Sequence, residues 1–343
     1  DAEKSANAIH AFAGPKSARE FRQFQTKAQS LFEAFERPMM MAPTPSVAGL
    51  VRHVMLRPHL ARLMAPGKSL AASLKAQFSD PRLRQLFGRY ATYVGGSPYQ
   101  SPSLLSLIWE SEARGVWRIK GGMHKLAKAM HDLAVARGAE FQFGLGATRI
   151  ERQDGAVSAV YLSDGQKLLA DRVIFNGDPR ALSQGLLGEA AAKTVPNTAV
   201  NPRSLSAWVW SFAATPSGAD LAHHNVFFGQ DPRSEFDAIE QGKMPVDPTL
   251  YVCAQDRGGT APSGLERFEI IMNAPAFSQT SPEEFALCRA TTFPILRERG
   301  LAFSPEPPDQ ALTTPAMFDR LFPASGGSLY GLSPHGMMAA FKR

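Results

Sequence analysis

The sequence is poor in the residues that build disulfide frameworks and cysteine-rich metal centres. Its 343 residues include two cysteines, Cys253 and Cys288. Two thiols are too few for a disulfide scaffold or for a metal site built mainly of cysteine. We therefore expect two reduced side chains in a cytosolic protein.

The eight histidines do not form a recognisable metal-binding motif. His223 and His224 are adjacent, and neighbouring residues of a strand point to opposite faces. His124 and His131 are too far apart along a predicted helix to share an ion without other ligands. From these spacings we expect no bound metal.

Long apolar runs and an export signal are also absent. No stretch reaches the roughly 18 consecutive apolar residues of a membrane-spanning helix, and no basic-then-apolar leader opens the sequence. Hydrophobic residues make up 44% and charged residues 20%, which is typical of a globular protein. The length predicts about two domains.

Several catalytic fingerprints are missing. The sequence contains no P-loop, no zinc-protease helix motif and no nucleophile elbow. Gly144-Leu145-Gly146 begins like a dinucleotide-binding turn, but Arg149 takes the place of the third glycine and a hairpin follows. The chain therefore lacks a complete phosphate-binding loop of its own.

The positive charge is concentrated in one segment. Between Val51 and Ala91 there are eight basic residues and one acid, a net charge of +7, whereas the whole chain carries +6. Apolar residues and prolines alternate with the basic ones, and no nucleic-acid-binding module is recognisable. The segment favours contact with a membrane surface through Arg52, Arg57 and Arg62; the alternative is a solvated helical face.

Periodicity predicts an α/β protein whose organisation changes along the chain. Residues 1–114 are predicted to be the helical part of a substrate-binding, membrane-facing domain. Residues 115–182 have strand–helix–strand order with an inserted antiparallel sheet, as in a partial Rossmann-like domain. The predicted strands are 116–119, 140–143 and 172–175, with a helix after Gly121-Gly122 and a hairpin around Asp154-Gly155.

The remainder is predicted to complete an α+β substrate domain with a mixed sheet. Strand-like runs at 205–212, 225–228, 249–254 and 268–273 predict an antiparallel sheet within residues 183–300. A helix is predicted over 282–300. Residues 301–343 are expected to return towards the Rossmann-like part.

A set of phrases resembles the carotenoid desaturase family of FAD-dependent enzymes. In the order of that family, the phrases are Asp80 to Phe87, Tyr93-Val94-Gly95-Gly96-Ser97-Pro98-Tyr99, Gly115-Val116-Trp117 with Gly121-Gly122-Met123, Asp154-Gly155 to Asp178-Pro179, and Gly331-Leu332-Ser333-Pro334. No single phrase is specific, but the set spans most of the chain. Further phrases at 89–93, 223–228 and 251–257 are similar to members that act on 1-hydroxycarotenoids.

The resemblance implies an oxidoreductase that introduces a carbon–carbon double bond into an acyclic carotenoid. A hydride passes to FAD and a neighbouring carbon loses a proton, so the cofactor carries the difficult chemistry. The specific expectation is 3,4-desaturation of 1-hydroxycarotenoids such as hydroxyneurosporene. Alternatives are a phytoene desaturase, a carotenoid isomerase relative, or a catalytically silent lipid-binding fragment.

The resemblance also implies a longer enzyme and a location. The family has one Gly-rich FAD motif before the region that matches this chain and another flavin segment after the Gly-Leu-Ser-Pro phrase. Neither is in this sequence, so we expect an internal fragment whose activity alone is doubtful. Since carotenoids reside in lipid, we expect a cytoplasmic protein associated peripherally with the inner membrane and no nucleic-acid partner.

Residue roles follow from the same resemblance, and no catalytic acid or base stands out. Cofactor contacts are expected at Gly121, Gly122, Ala147, Asn176 and Asp178. Plain turns are the alternative for the glycine pair and for residues 176–179. Candidate walls of the substrate tunnel are Tyr93, Tyr99, Trp117 and Phe227, and ordinary core packing is the alternative for each.

Overall fold

The chain folds into two compact units. A computed structural model describes residues 2–44, 46–258, 264–277 and 282–336. The first unit comprises Asp1–Val116 with Leu332–Arg343, and the second comprises Trp117–Gly331. The boundary between the units thus falls after Val116, two residues beyond the predicted boundary at position 114, and the described residues 332–336 belong to the first unit.

The first unit is helical. A long helix is kinked at Gly14, where φ is 82°, just before Pro15. Short 3-10 turns lie at Arg89–Val94 and Ser103–Leu107, and a π turn follows the first helix at Glu36–Met40. The helices are α1 (Ala2–Phe35), α2 (Val47–Met55), α3 (Pro58–Met64), α4 (Leu70–Gln77), α5 (Pro81–Gly88) and α6 (Ile108–Ala113).

Aromatic packing holds the first unit together. Phe24 on α1 is buried with its ring centroid 4.6 Å from that of Phe87 and 5.3 Å from that of Phe78. The short helices begin at side-chain caps, because Ser69 accepts a hydrogen bond from the Ala72 amide and Asp80 accepts one from the Arg82 amide. Caps and buried rings together allow helices of only eight residues to form.

The second unit begins with a helix and a small antiparallel sheet. The helix is α7 (Met123–Ala136), and the sheet joins β1 (Ala147–Gln153), β2 (Ala156–Leu162) and β3 (Lys167–Leu169) in that order. Asp154 and Gly155 have φ values of 53° and 84°, as a type I′ hairpin turn requires. The predicted hairpin is therefore confirmed. Two short helices follow, α8 (Pro179–Ser183) and α9 (Glu189–Ala192).

Three predicted strands do not form. Residues 116–119, 140–143 and 172–175 have no strand assignment. A strand requires a hydrogen-bonded neighbour, and the described chain provides none beside these runs. Within the described residues 115–182, the paired strands are therefore those of the small antiparallel sheet.

The larger sheet of the second unit is antiparallel. Together with the helices of both units it confirms the α/β fold class. Its order is β5-β6-β7-β4-β8, and β9 also pairs with β4. The strands are β4 (Ser206–Gly218), β5 (His224–Phe227), β6 (Leu250–Ala254), β7 (Glu266–Ala274), β8 (Leu301–Ser304) and β9 (Leu312–Thr313). The helices are α10 (Pro232–Glu240), α11 (Pro282–Glu298) and α12 (Pro315–Leu321).

One face of this sheet carries the main core. Trp210 of β4 and Phe268 of β7 are buried on it, together with Phe293 and Leu296 of α11. The Trp210 and Phe293 rings meet edge to face at 5.1 Å between centroids. Among the described helices, none combines the length and apolar character needed to cross a bilayer.

The junction between β4 and β8 should not tolerate a side chain. At Gly218, φ is +95° and an added Cβ would lie 2.1 Å from the Gly300 carbonyl oxygen. We expect Gly218→Ala to lower the free energy of unfolding by about 2–4 kcal/mol, through left-handed backbone strain and the clash together. Urea unfolding measures the loss.

Gly242 provides the matched control. Its φ is +73°, but an added Cβ would meet no atom within 4 Å. Gly242→Ala should therefore lose about 1–2 kcal/mol from backbone strain alone. Equal losses in the two variants would contradict the clash.

Candidate functional site

The predicted glycine turn stands at the start of α7. Gly121 and Gly122 have φ values of 85° and 90°, a conformation that favours glycine. Gly122 is the N-cap of α7 and has no capping side chain. The first amide groups of this 14-residue helix therefore receive no hydrogen bond acceptor from an N-cap side chain. Such amides favour a bound acceptor or anion.

The region around the glycine turn presents apolar side chains to solvent. None of the residues of α7 is buried. Exposed apolar residues in this part of the chain are Trp117, Met123, Met130, Leu133, Phe143 and Ile174. An apolar surface of this kind is typical of a binding or packing face.

Ala147 and Asp178 lie on chain segments that meet through α9. Ala147 opens β1 and is exposed. Further along β1, the Ile150 amide donates to the Leu187 carbonyl at 3.0 Å, just before α9. The structure therefore connects the start of the small sheet with the α8–α9 region that follows Asp178.

Asp178 is held in a structural role. It caps α8 by accepting a hydrogen bond from the Arg180 amide at 2.9 Å. Its other oxygen forms an ion pair with Arg203, whose side chain is 2% exposed. Asn176, two residues earlier, is exposed. The carboxylate of Asp178 therefore holds the start of α8 against Arg203.

The face of the larger sheet opposite the core is half open. Strand register places Ser211, Glu269, Cys253 and His224 in one row across β4, β7, β6 and β5. The adjacent row contains Val209, Ile271, Tyr251 and Val226, all half-buried. Burial raises the pKa of Glu269. We call these two rows the open sheet face.

Sequence reasoning missed the open sheet face, although the signal was present. In β7, the buried Phe268 and Ile270 alternate with the more exposed Arg267 and Glu269. The sequence of this strand therefore has the period of two that a strand with one buried and one open face shows. Phe227 lies in the other register, opposite Leu250, and packs against the core. Period-two alternation turns Phe227 to the core side of the sheet, where it is half-buried, and its assignment to a tunnel wall stays a prediction.

The prediction that His223 and His224 point to opposite faces is wrong. Strand β5 begins at His224, so strand alternation does not apply to His223, which lies in the preceding bend. The two ring centroids are 4.5 Å apart.

The first unit contains a cavity of about 390 Å³ lined by Tyr99. Its other walls come from residues 64–69, residues 100–104 and Gly336. Trp117 belongs to the second unit and does not line it. Tyr93 is exposed on the first unit and makes an edge contact with Tyr90 at 5.4 Å.

Two of the phrases that carried the resemblance meet beside this cavity. The Ser97 amide donates to His335 Nε2 at 2.9 Å. At Gly96 an added Cβ would lie 2.4 Å from Pro334 Cγ and from Ser101 Oγ. Glycine at this position therefore lets the two phrases pack in direct contact.

The predicted basic segment is exposed on α2 and α3. Arg52, Arg57 and Arg62 all lie at the surface, and no acid occurs between Pro38 and Ser79. Met55 and Leu56, at the end of α2, are 74% and 69% exposed. Exposed apolar side chains flanked by basic ones are the combination found in interfacial helices.

Comparison with known proteins identifies the family of the chain. Residues 18–214 match a family described as flavin containing amine oxidoreductase. The chain is 52% identical over 344 aligned residues to a hydroxyneurosporene desaturase from Cereibacter sphaeroides, covering 100% of this chain and 70% of that protein. A hydroxyneurosporene desaturase from Rhodobacter capsulatus is 51% identical with the same coverage.

A more distant relative is a 1-hydroxycarotenoid 3,4-desaturase from Flavobacterium sp. It is 30% identical over 273 residues, which cover 78% of this chain and 55% of the relative. The family match spans more than half of the chain, and the two hydroxyneurosporene desaturases align along all of it. The chain belongs to the family of flavin containing amine oxidoreductases.

Proposed function

We propose that this protein is an FAD-dependent carotenoid desaturase that forms the 3,4 double bond of 1-hydroxycarotenoids such as hydroxyneurosporene. The observation that carries the proposal is the 52% identity with a hydroxyneurosporene desaturase along the entire chain. The flavin family match supports FAD as the cofactor.

The residues of the second unit fit a flavin. The uncapped start of α7 offers amide groups to an acceptor or anion, and Gly121 and Gly122 put no large side chain in the way. Exposed apolar residues such as Trp117 suit a large aromatic cofactor or its neighbouring layer. We propose backbone contacts to FAD at Gly121, Gly122, Ala147 and Asn176.

Bound FAD supplies the acceptor for a hydride from one carbon of the substrate. The neighbouring carbon loses a proton, and the electron pair of that C–H bond becomes the new double bond. The protein must hold a long apolar chain in place and exclude water. Val209, Ile271 and Val226 of the open sheet face provide an apolar wall of the required kind.

The cavity of the first unit suits one end of the substrate. Its volume of about 390 Å³ lies within the usual range of small-molecule sites, roughly 300–1,000 Å³. Tyr99, Pro102 and Leu104 give it apolar surface. We propose Tyr99 as a substrate-lining residue, with Tyr93 and Trp117 as further candidates.

We propose peripheral contact with an anionic membrane surface through Arg52, Arg57 and Arg62. Their cationic groups would meet headgroups while Met55 and Leu56 insert shallowly. Such contact would let the protein draw a lipid-dissolved polyene out of the bilayer.

The reaction is tested by supplying purified protein with FAD, lipid, an electron acceptor and one carotenoid. Hydroxyneurosporene should gain one double bond, seen as a product that absorbs at longer wavelength and weighs two hydrogens less. Phytoene is the comparison substrate. Conversion of phytoene alone would contradict the 3,4-desaturase assignment.

Asp178 should contribute more to stability than to flavin contact. Asp178→Ala removes the cap of α8 and leaves the buried Arg203 without its carboxylate partner, although its hydrogen bonds to two backbone carbonyls remain. We expect a loss of about 3–5 kcal/mol in the free energy of unfolding, as for other broken buried ion pairs. Asp178→Asn, which keeps a capping oxygen, should lose less.

Asp164→Ala is the matched control, because Asp164 is exposed and accepts one hydrogen bond, from the Gln166 amide. It should lose about 1 kcal/mol. FAD affinity is measured alongside by fluorescence titration. Weaker FAD binding by Asp178→Asn at unchanged stability would instead assign the carboxylate to the cofactor.

The membrane contact should depend on the basic segment and not on total charge. Replacing Arg52, Arg57 and Arg62 together with Glu should lower the partition coefficient on anionic vesicles at least tenfold, because each basic residue near such a surface contributes about 1 kcal/mol. Co-sedimentation with phosphatidylglycerol-containing vesicles measures the partition.

The control triple variant replaces Lys193, Lys243 and Arg320, which are exposed elsewhere, with Glu. Its net charge changes by the same amount, and its binding should remain close to that of the unaltered protein. Equal losses in the two triple variants, or no loss in either, would refute the role of the segment.

A further inference from the structure

Three metal-ligating side chains converge at one end of the open sheet face. Each of His223, His224 and Cys253 offers one ligand atom, and these atoms all lie within 4.8 Å of one another. The register of β5 and β6 places His224 directly opposite Cys253. His223 joins them from the bend that precedes β5.

His223 is oriented by the backbone behind it. Its Nδ1 lies 2.7 Å from the Arg257 carbonyl oxygen. Since a carbonyl can only accept, Nδ1 carries the proton and donates it, so Nε2 of the neutral ring carries a lone pair. Nε2 is the atom that faces Cys253 Sγ, at 3.8 Å.

The support for this orientation extends one layer further. Arg257 is clamped by the buried Glu266 through hydrogen bonds from Nε at 2.7 Å and from Nη2 at 2.9 Å. It also donates from Nη1 to the Leu221 carbonyl at 3.0 Å. A metal-binding histidine commonly has its second nitrogen fixed in this way, by a carbonyl that is itself held in place.

His224 is oriented by a different neighbour. Its Nδ1 lies 2.6 Å from the Tyr251 hydroxyl, and the His223 and His224 rings are nearly perpendicular, at 81°. Both imidazoles are therefore restrained by hydrogen bonds to groups other than the thiol.

We propose that His223, His224 and Cys253 form a binding site for a borderline-soft divalent cation of the Zn²⁺ class. Two imidazole nitrogens and a thiolate are ligands that zinc prefers, whereas Mg²⁺ and Ca²⁺ require oxygen. Zn–N and Zn–S bonds of about 2.0 and 2.3 Å place two tetrahedral ligands roughly 3.5 Å apart. The 3.8 Å between His223 Nε2 and Cys253 Sγ is close to that separation.

The surroundings of the three ligands are compatible with a cation. Glu269 occupies the next position of the same row, beside Cys253, and adds a carboxyl group. Cys253 would bind as the thiolate, so its proton leaves when Sγ binds the ion. Three protein ligands leave a fourth position for water or another oxygen ligand.

The site does not depend on the proposed desaturase reaction, and it is tested by metal binding to the purified chain. Zn²⁺ is titrated calorimetrically, and Co²⁺ is added as a spectroscopic probe. We expect one equivalent of each to bind, with a thiolate-to-cobalt charge-transfer band. No binding, or a cobalt spectrum without that band, would overturn the proposal.

The variants separate this site from other ligands of the chain. Cys253→Ser should abolish the charge-transfer band, and His224→Ala should weaken Zn²⁺ binding at least tenfold. The matched control is Cys288→Ser, because Cys288 is fully buried in the core of the sheet and belongs to no cluster of ligands in the described residues.

His224 is exposed, so its replacement should leave the fold intact, which circular dichroism and the melting temperature verify. Should Cys253→Ser fail to fold, His224→Ala decides the outcome. Undiminished zinc binding by a folded His224→Ala variant, or loss of the band in Cys288→Ser, would refute the site.

Discussion

The second unit depends on the pairing of one long strand. The 13 residues of β4 hydrogen-bond with β7 along one edge and with β8 and β9 along the other. Strands distant in sequence thus share one sheet through β4. Trp210, near the middle of β4, is buried with Phe268 and Phe293, so the same strand also organises the core.

Pairing of this kind creates two unequal faces. Antiparallel strands can bury one face and leave the other available for a ligand. Here α11 covers the face of Trp210 and Phe268, while the rows through Glu269 and Ile271 remain half open. Strand register, which brings His224 opposite Cys253 and Cys253 opposite Glu269, therefore decides which side chains can act together.

The sequence predicted the elements that depend on local patterns. The Asp154-Gly155 hairpin and the strands β4 to β7 follow from turn chemistry and alternation, which short stretches of chain contain in full. The runs 116–119, 140–143 and 172–175 have equally apolar sequences but no strand beside them. Pairing is a non-local property, and periodicity cannot supply it.

The candidate site was predictable to the extent that its residues lie in recognisable phrases. Gly121 and Gly122 could be singled out because a glycine pair precedes a predicted helix, and both residues adopt the positive φ that favours glycine. The neighbourhood of His223 was not found, because it depends on the residue at which β5 begins and on a carbonyl 34 positions away. The side of the sheet on which Phe227 lies likewise depends on strand register, since a shift of one residue reverses every side chain of a strand.

The two units offer different physical properties. The first unit combines a cavity with apolar walls and a basic stretch, residues 38–79, that contains no acid. These are the properties that the proposed uptake of a hydrophobic molecule from an anionic interface requires. The second unit combines glycine-rich backbone with exposed apolar surface and a half-open sheet. In the proposed reaction FAD takes the hydride, so the protein needs no nucleophilic triad and contributes mainly placement and dryness. The lack of a nucleophile elbow in the sequence is what such chemistry predicts.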